Sequence, residues 1–301
     1  MSTLKFATRP SRLAQVQTDS IRRGLLENWP ELECTVTVIT TEGDRVLDRP
    51  LPEIGGKGLF TKELERELLD GRLDAAVHSL KDMPIEDVPG LAIGLVPQRA
   101  LANDVLVSGE GYTLEELPSR SVVGTSSLRR QGQLLVIRPD LEVRPIRGNV
   151  DTRVRKIMEG QYDAAILAHA GLSRLGLDEH IAQVLPFDIM LPAPGQGALA
   201  VQCRSDDAQT LGHLTILEDA QTREAVEAER MFLAALGGGC SLPVGAYAEK
   251  QNGSWTICTV IVAPDGIDIS RMERSGDDPL ELIEDLIQEV ETRDAMRVLH
   301  G

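Results

Sequence analysis

Apolar positions along residues 4–167 alternate between two periods. Short β-branched or apolar runs at 4–8, 34–40 and 75–78 predict strands. Stretches at 11–28 and 61–69, where apolar residues return every three to four positions, predict helices. The alternation then restarts, with strands at 121–124, 141–144 and 164–167 and helices at 127–137 and 150–159. This is the signature of βαβ units around a mostly parallel sheet. Its restart predicts two similar, doubly wound α/β lobes, although no residue-by-residue repeat accompanies it.

Beyond about residue 218 the pattern changes. A helix at 221–236 leads into Gly237-Gly238-Gly239-Cys240, and strands follow at 245–249 and 254–262. Asp265-Gly266 marks a turn. A closing helix at 279–290 carries Ile283, Leu286, Ile287 and Val290 on one stripe. Strands and helices without βαβ alternation predict a small α+β C-terminal domain. Connections fall near 96–103 and 187–194, and Leu191-Pro192-Ala193-Pro194-Gly195-Gln196-Gly197 reads as a crossover.

Composition narrows the partners. A chain of 301 residues has room for two or three domains, and 42% hydrophobic residues can fill their cores. The net charge of −16, from 31 basic and 47 acidic residues, argues against nucleic acid and against an anionic membrane surface. Aromatic residues at 3% leave no platform for stacking bases. No apolar run approaches the ~20 residues needed to span a bilayer. The first residues, Met1-Ser2-Thr3-Leu4-Lys5, carry no apolar signal segment. Cys34, Cys203, Cys240 and Cys258 form no C-x-x-C pair and have no histidine cluster nearby. A cytoplasmic protein with free thiols and no metal site is therefore expected.

Four features carry candidate chemistry. Between Arg129 and Lys156 stand eight basic residues and three acids, a local net charge of +5. On charge alone this is equally a solvated face with surface ion pairs. Position favours an anion site, because Gly124-Thr125-Ser126-Ser127 and Arg147-Gly148-Asn149-Val150 each follow a strand and open a helix, as does Thr8-Arg9-Pro10-Ser11. Helix N-termini favour anions, and arginine binds carboxylates bidentately. Three such turns predict a ligand with several carboxylates. Next, His78-Ser79-Leu80-Lys81-Asp82 follows an apolar strand, where α/β folds place their sites. Asp82 is either a general acid/base or one member of a structural Lys–Asp pair. Third, Gly55-Gly56-Lys57-Gly58-Leu59-Phe60 is either a plain loop or a lid carrying Lys57 and Phe60. Last, the glycines before Cys240 leave space beside its thiol, so it is either a small buried residue or a covalent attachment point.

In register, these segments resemble the porphobilinogen deaminase family from residue 6 to about 276. Ala7-Thr8-Arg9-Pro10-Ser11, 55–60, 78–84, 124–131, 147–153, Pro194-Gly195-Gln196-Gly197, and Glu229-Arg230 with 236–245 carry the likeness. The resemblance implies two lobes similar to type II periplasmic binding proteins and a third domain bearing the cofactor. Domain 1 would comprise 1–97 and 198–216, domain 2 103–191, and domain 3 218–301. It implies a transferase that condenses four porphobilinogen molecules into the linear tetrapyrrole hydroxymethylbilane, and a dipyrromethane cofactor thioether-linked to Cys240. Asp82 matches the catalytic carboxylate. Lys81, Ser126, Ser127, Arg129, Arg130, Arg147 and Gly148 match cofactor-binding positions. Arg9, Ser11, Ser79, Arg147, Arg153 and Gln196 match substrate-binding positions. It further implies a monomer whose product passes to uroporphyrinogen III synthase. The sequence departs from the family pattern at Ala100-Leu101-Ala102-Asn103, which is unusually apolar, and at Leu242.

Two other readings share the lobes. A periplasmic-type ligand-binding protein would need neither the third domain nor the glycine-flanked cysteine. A pseudoenzyme would not need Asp82 and Cys240 together.

Overall fold

The computed structural model describes residues 3–45, 58–238, 242–292 and 298. Lys57 and Cys240 lie outside the described residues, as do Gly55, Gly56, Gly239 and Ser241. The chain forms two compact units, Met1–Ala100 with Ala198–Arg223, and Leu101–Gly197 with Glu224–Gly301.

The first unit is built on β1 (Thr3–Thr8), β2 (Glu33–Val38), β3 (Ala75–Ser79), β4 (Leu91–Leu95) and β10 (Leu199–Arg204), in the order β2-β1-β3-β10-β4. β1 runs parallel to β2 and β3, while β10 is antiparallel to both neighbours. Helix α1 (Arg12–Asn28) and α7 (Ala208–Leu214) cover one face through Ile21, Leu25 and Leu214 against Leu4, Phe6 and Val77. Helix α3 (Lys62–Leu69) covers the other through Leu64 and Leu68 against Ala7 and Ala76. Burial on both faces explains why the central strands β3 and β10 are near-continuously apolar, whereas the edge strand β2 alternates and is largely exposed. A four-residue helix, α2 (Glu42–Arg45), precedes α3.

The second unit repeats this plan. β5 (Asp104–Ser108), β6 (Val122–Gly124), β7 (Glu142–Arg144), β8 (Ala164–Ala168) and β9 (Ile181–Val184) are ordered β7-β6-β8-β5-β9. Here β5 is the antiparallel strand, between β8 and β9. Helix α4 (Leu128–Ile137) packs on one face through Leu134, and α5 (Val150–Met158) and α6 (His169–Leu175) on the other through Val154, Ile157 and Leu172. The predicted doubly wound α/β architecture is thus present in each unit.

The second unit also holds the small α+β module. β11 (Val244–Gln251), β12 (Ser254–Val262) and β13 (Ile269–Gly276) form an antiparallel sheet. Helices α8 (Ala220–Ala235) and α9 (Pro279–Thr292) contribute Phe232, Ile283, Leu286 and Val290 to its core around Trp255. The module is firmly docked. A Cβ on Gly132 of α4 would meet the Ala263 carbonyl at 2.4 Å, so only glycine allows that approach. Arg271 donates to Gln133 Oε1 and to the carbonyls of Phe187 and Ile189. Fully buried Glu229 accepts from Gly195 N at 2.7 Å and Ala248 N at 2.9 Å, tying α8 to the crossover and to β11. A buried carboxylate is tolerated where backbone donors satisfy its oxygens.

Candidate active site

In the first unit the rim at the strand ends is set by β1 and β3, which pair in parallel and therefore finish side by side. After β1, Ser11 caps α1 by accepting from Ala14 N at 3.2 Å, which fixes the turn that carries Arg9. After β3 the chain turns through a short 3₁₀ segment, Leu80–Asp82, carrying Lys81 and the exposed Asp82. Arg9, Ser11, Ser79 and Asp82 line one pocket together with Gln17, Phe60, Thr61 and His78. Ser79 Oγ accepts from buried Gln17 Nε2 at 2.8 Å.

Arg9 is held on two sides. Its guanidinium lies 4.0 Å above the Phe60 ring and donates through Nη2 to Asp44 Oδ1 at 2.5 Å. Asp44 also accepts from Thr41 N and Thr41 Oγ1. Burial works to raise the Asp44 pKa, but the hydrogen bonds and charge of Arg9, with Thr41, outweigh it and hold the group below its ordinary value. Phe60 rests on Gly43, where a Cβ would lie 2.2 Å from the ring. His78 is buried, and that burial, followed by the charge of Arg9, lowers its pKa to about 4. It is therefore neutral at pH 7. Its Nε2 has no hydrogen-bond partner among the described residues, nor has Oε1 of its neighbour Gln202.

The second unit presents the corresponding rim. β6 and β7 pair in parallel, and their exits are tied by Thr125 N to the Arg144 carbonyl and Ser126 Oγ to the Ile146 carbonyl. Ser127 caps α4 by accepting from Arg130 N. The next turn brings Arg147, half-buried, and Gly148, whose φ is +111°. Arg153 Nε returns to the Gly148 carbonyl at 2.8 Å, and Lys156 Nζ to the Arg147 carbonyl at 3.1 Å.

Arg129 and Arg130 are both buried, and both bind Asp104. Arg129 Nη1 donates to Asp104 Oδ2 at 2.8 Å, and Arg130 Nη2 to Oδ1 at 2.7 Å. Gln196 is also buried, with Nε2 donating to the Ala102 carbonyl and to Asp104 Oδ1. Burial works to raise the Asp104 pKa, but the two guanidiniums drive it far below the carboxylate range. Arg174, near the C-terminal end of α6, is a further largely buried cation. Its Nη2 donates to the Gly197 carbonyl at 2.7 Å, and burial lowers its pKa to about 10.

Sequence reasoning missed Asp44, Asp104 and Arg174. Asp44 had a local signal, since Thr41 and Asp44 have the spacing of a helix cap. Asp104 had none, because its partners lie 25 and 26 residues onward. Arg174 lies outside the basic run.

The cofactor segment is bracketed. Helix α8 ends in consecutive left-handed glycines, Gly237 at φ +92° and Gly238 at φ +62°, whose N–H groups return to the carbonyls of Ala234 and Leu233. Leu242 packs partly on the module's core, and β11 begins two residues later.

Comparison with known proteins agrees with this layout. The family model described as "Porphobilinogen deaminase, dipyromethane cofactor binding domain" matches residues 4–212, and "Porphobilinogen deaminase, C-terminal domain" matches 223–292. A porphobilinogen deaminase of Brevibacillus brevis is 50% identical over 283 residues, covering 94% of this chain and 92% of the relative. One from Roseiflexus castenholzii is 46% identical, covering 100% of this chain and 99% of its own. Among solved structures, the substrate binding domain of a putative molybdenum ABC transporter from Clostridium difficile aligns with a TM-score of 0.45 at 8% identity, covering 76% of this chain and 97% of that one. The two family models between them span both lobes and the small module, and on that match the chain belongs to the porphobilinogen deaminase family.

Proposed function

We propose that this chain condenses four porphobilinogen molecules into hydroxymethylbilane, with Asp82 as the catalytic carboxylate and Cys240 as the attachment point of a dipyrromethane. The observation that carries the reading is the single pocket in which Asp82 stands beside Arg9, Ser11 and Ser79. Porphobilinogen pairs an aminomethyl group with two carboxylates, so its site needs a proton-handling group close to anion-binding donors. Asp82, exposed to the pocket, takes and returns the protons that accompany loss of ammonia, and its charge stabilises the cation left on the substrate pyrrole. Arg9, Ser11 and Ser79 orient the substrate's acetate and propionate. Arg9 must share its edge with Asp44, so a substrate carboxylate binds in competition with that residue.

The second rim fits a covalently held dipyrromethane. Buried Arg129 and Arg130 carry two positive charges against the one negative charge of Asp104, and Arg174 is a largely buried cation with only a carbonyl among its described partners. Such surplus cations suit a ligand rich in carboxylates. When bound, the dipyrromethane supplies a nucleophilic pyrrole carbon on which the chain is extended. Ser126, Ser127, Arg129, Arg130, Arg147 and the Gly148 turn hold its side chains, and Lys81 is a further cofactor-binding residue. Arg153 and Gln196 support the substrate side, Gln196 through Asp104. Phe60, stacked on Arg9, covers one side of the pocket.

On this reading residues 1–97 with 198–216, 103–191 and 218–301 are three domains, the last two sharing one compact unit. The chain acts in the cytoplasm as a monomer and hands its product to uroporphyrinogen III synthase. Free Cys34, Cys203 and Cys258 suit that reducing compartment. The test is turnover. Purified chain given porphobilinogen should release four ammonia per linear tetrapyrrole, and chain that binds porphobilinogen without releasing ammonia contradicts the proposal.

A further inference from the structure

Fully buried Asp104 has entered so far only as the counter-charge and contact of its neighbours. We propose that Asp104 is a positioning residue, one that fixes Arg129 so that the outer edge of its guanidinium is presented to a ligand carboxylate. This rests on the assignment of Arg129 to ligand binding above.

Asp104 has no exposed surface, so it acts only through its neighbours. Its Oδ1 accepts from Arg130 Nε at 3.1 Å, Arg130 Nη2 at 2.7 Å and Gln196 Nε2 at 2.8 Å, while Oδ2 accepts from Arg129 Nη1 at 2.8 Å. Each arginine is also held by a carbonyl, Arg129 through the same Nη1 that binds Asp104 and Arg130 through its opposite nitrogen. Arg129 Nη1 donates to Leu191 O at 2.6 Å, and Arg130 Nη1 to Ile166 O at 3.0 Å.

The two arginines are held differently. Arg130 gives its Nε–Nη2 edge, the one that grips a carboxylate bidentately, to Asp104. Arg129 gives only Nη1, and its Nε and Nη2 meet no protein acceptor among the described residues. The bidentate edge of Arg129 is therefore available while its pose is fixed from behind. The surplus of one positive charge matches one incoming carboxylate. Gln196 reinforces the arrangement, because a neutral amide donor steadies Asp104 without adding charge.

A purely charge-balancing role is separable from a positioning one. Full-length chain produced without porphobilinogen is exposed to it, and the rate at which the intact mass gains pyrroles is followed over several decades. Asp104→Asn should load at least ~100-fold more slowly than wild type. The decisive pair is Arg130→Met against Asp104→Asn/Arg130→Met. The double variant retains the cluster's original net charge of +1 whereas Arg130→Met alone is neutral, so charge balance alone predicts loading at least as fast as Arg130→Met. Positioning predicts loading at least ~10-fold slower, with circular dichroism and thermal midpoint close to those of Arg130→Met. A double variant that loads as fast as Arg130→Met, or that fails to fold, overturns the proposal. Wild-type chain that gains no mass overturns the functional reading instead.

Discussion

Replacing Arg174 by methionine should make the ligand-free protein more stable and a worse catalyst. Arg174 is largely buried, its described partner is the Gly197 carbonyl, and burial brings its pKa down from the ordinary arginine value to about 10. A lowered pKa on a cationic group means that the folded state binds the proton less tightly than the unfolded chain. The penalty is present at every pH below about 10 and disappears only above the ordinary arginine value. At neutral pH it amounts to about 3 kcal/mol, taking ~1.4 kcal/mol per pKa unit. Methionine keeps the length and removes the charge, while giving up one hydrogen bond that contributes about 1–2 kcal/mol. The remainder, about 1–2 kcal/mol, should raise the thermal midpoint by about 2–5 °C. The assay is scanning calorimetry of Cys240→Ser against Cys240→Ser/Arg174→Met in a low-anion buffer, so that no attached pyrroles mask the effect. With Cys240 intact, Arg174→Met should lose at least ~10-fold in tetrapyrrole formation, because a desolvated carboxylate loses its partner. A lower midpoint in the double variant would show that Arg174 is a structural strut and would refute the reasoning.

Three further outcomes follow from the first unit. Asp82→Asn should fold normally and lose at least ~10²-fold in turnover, the low end for general acid–base catalysis, and a loss of only a few-fold would move the role elsewhere. His78, neutral with a pKa lowered to about 4, destabilises the fold as pH falls from about 6.5 towards 4, because the unfolded chain then binds the extra proton. Urea melts at pH 7 and pH 5 should show that loss in wild type and a smaller one in His78→Gln, and equal losses would contradict it. Gly43→Ala should displace Phe60 from Arg9, since the added carbon would sit 2.2 Å from the ring, and should raise KM for porphobilinogen more than it lowers kcat.

Elements with strong local signals were legible in the sequence. The predicted helix at 11–28 is Arg12–Asn28 with Ser11 as its cap, and the predicted strand at 254–262 is Ser254–Val262. Among the strands that escaped, besides β4 and β9, were the antiparallel strands β5 and β10. Both are short and buried on both faces, so they show no alternation, and both pair with strands far away in sequence. β13 escaped because its exposed residues are charged or polar, with only Met272 fully buried.

The basic run divides in a way its composition could not reveal. Arg138 with Asp140, Arg144 with Glu142, and Arg155 with Glu159 form local ion pairs of the kind expected of a solvated face. Arg129 and Arg130 instead turn inward to Asp104, which local sequence could not indicate. The candidate pocket was legible as motifs at two strand ends, Thr8-Arg9-Pro10-Ser11 and His78-Ser79-Leu80-Lys81-Asp82. Their juxtaposition needed the β1–β3 pairing, which only the fold supplies.

The central claim is that pyrroles are assembled on Cys240. Intact-protein mass spectrometry after brief exposure to porphobilinogen tests it directly. Wild type should carry two pyrroles as a stable base and a ladder of further single-pyrrole additions above it, and Cys34→Ser, Cys203→Ser and Cys258→Ser should show the same ladder. Cys240→Ser should show the bare chain mass alone, and a pyrrole adduct retained on that variant would contradict the account.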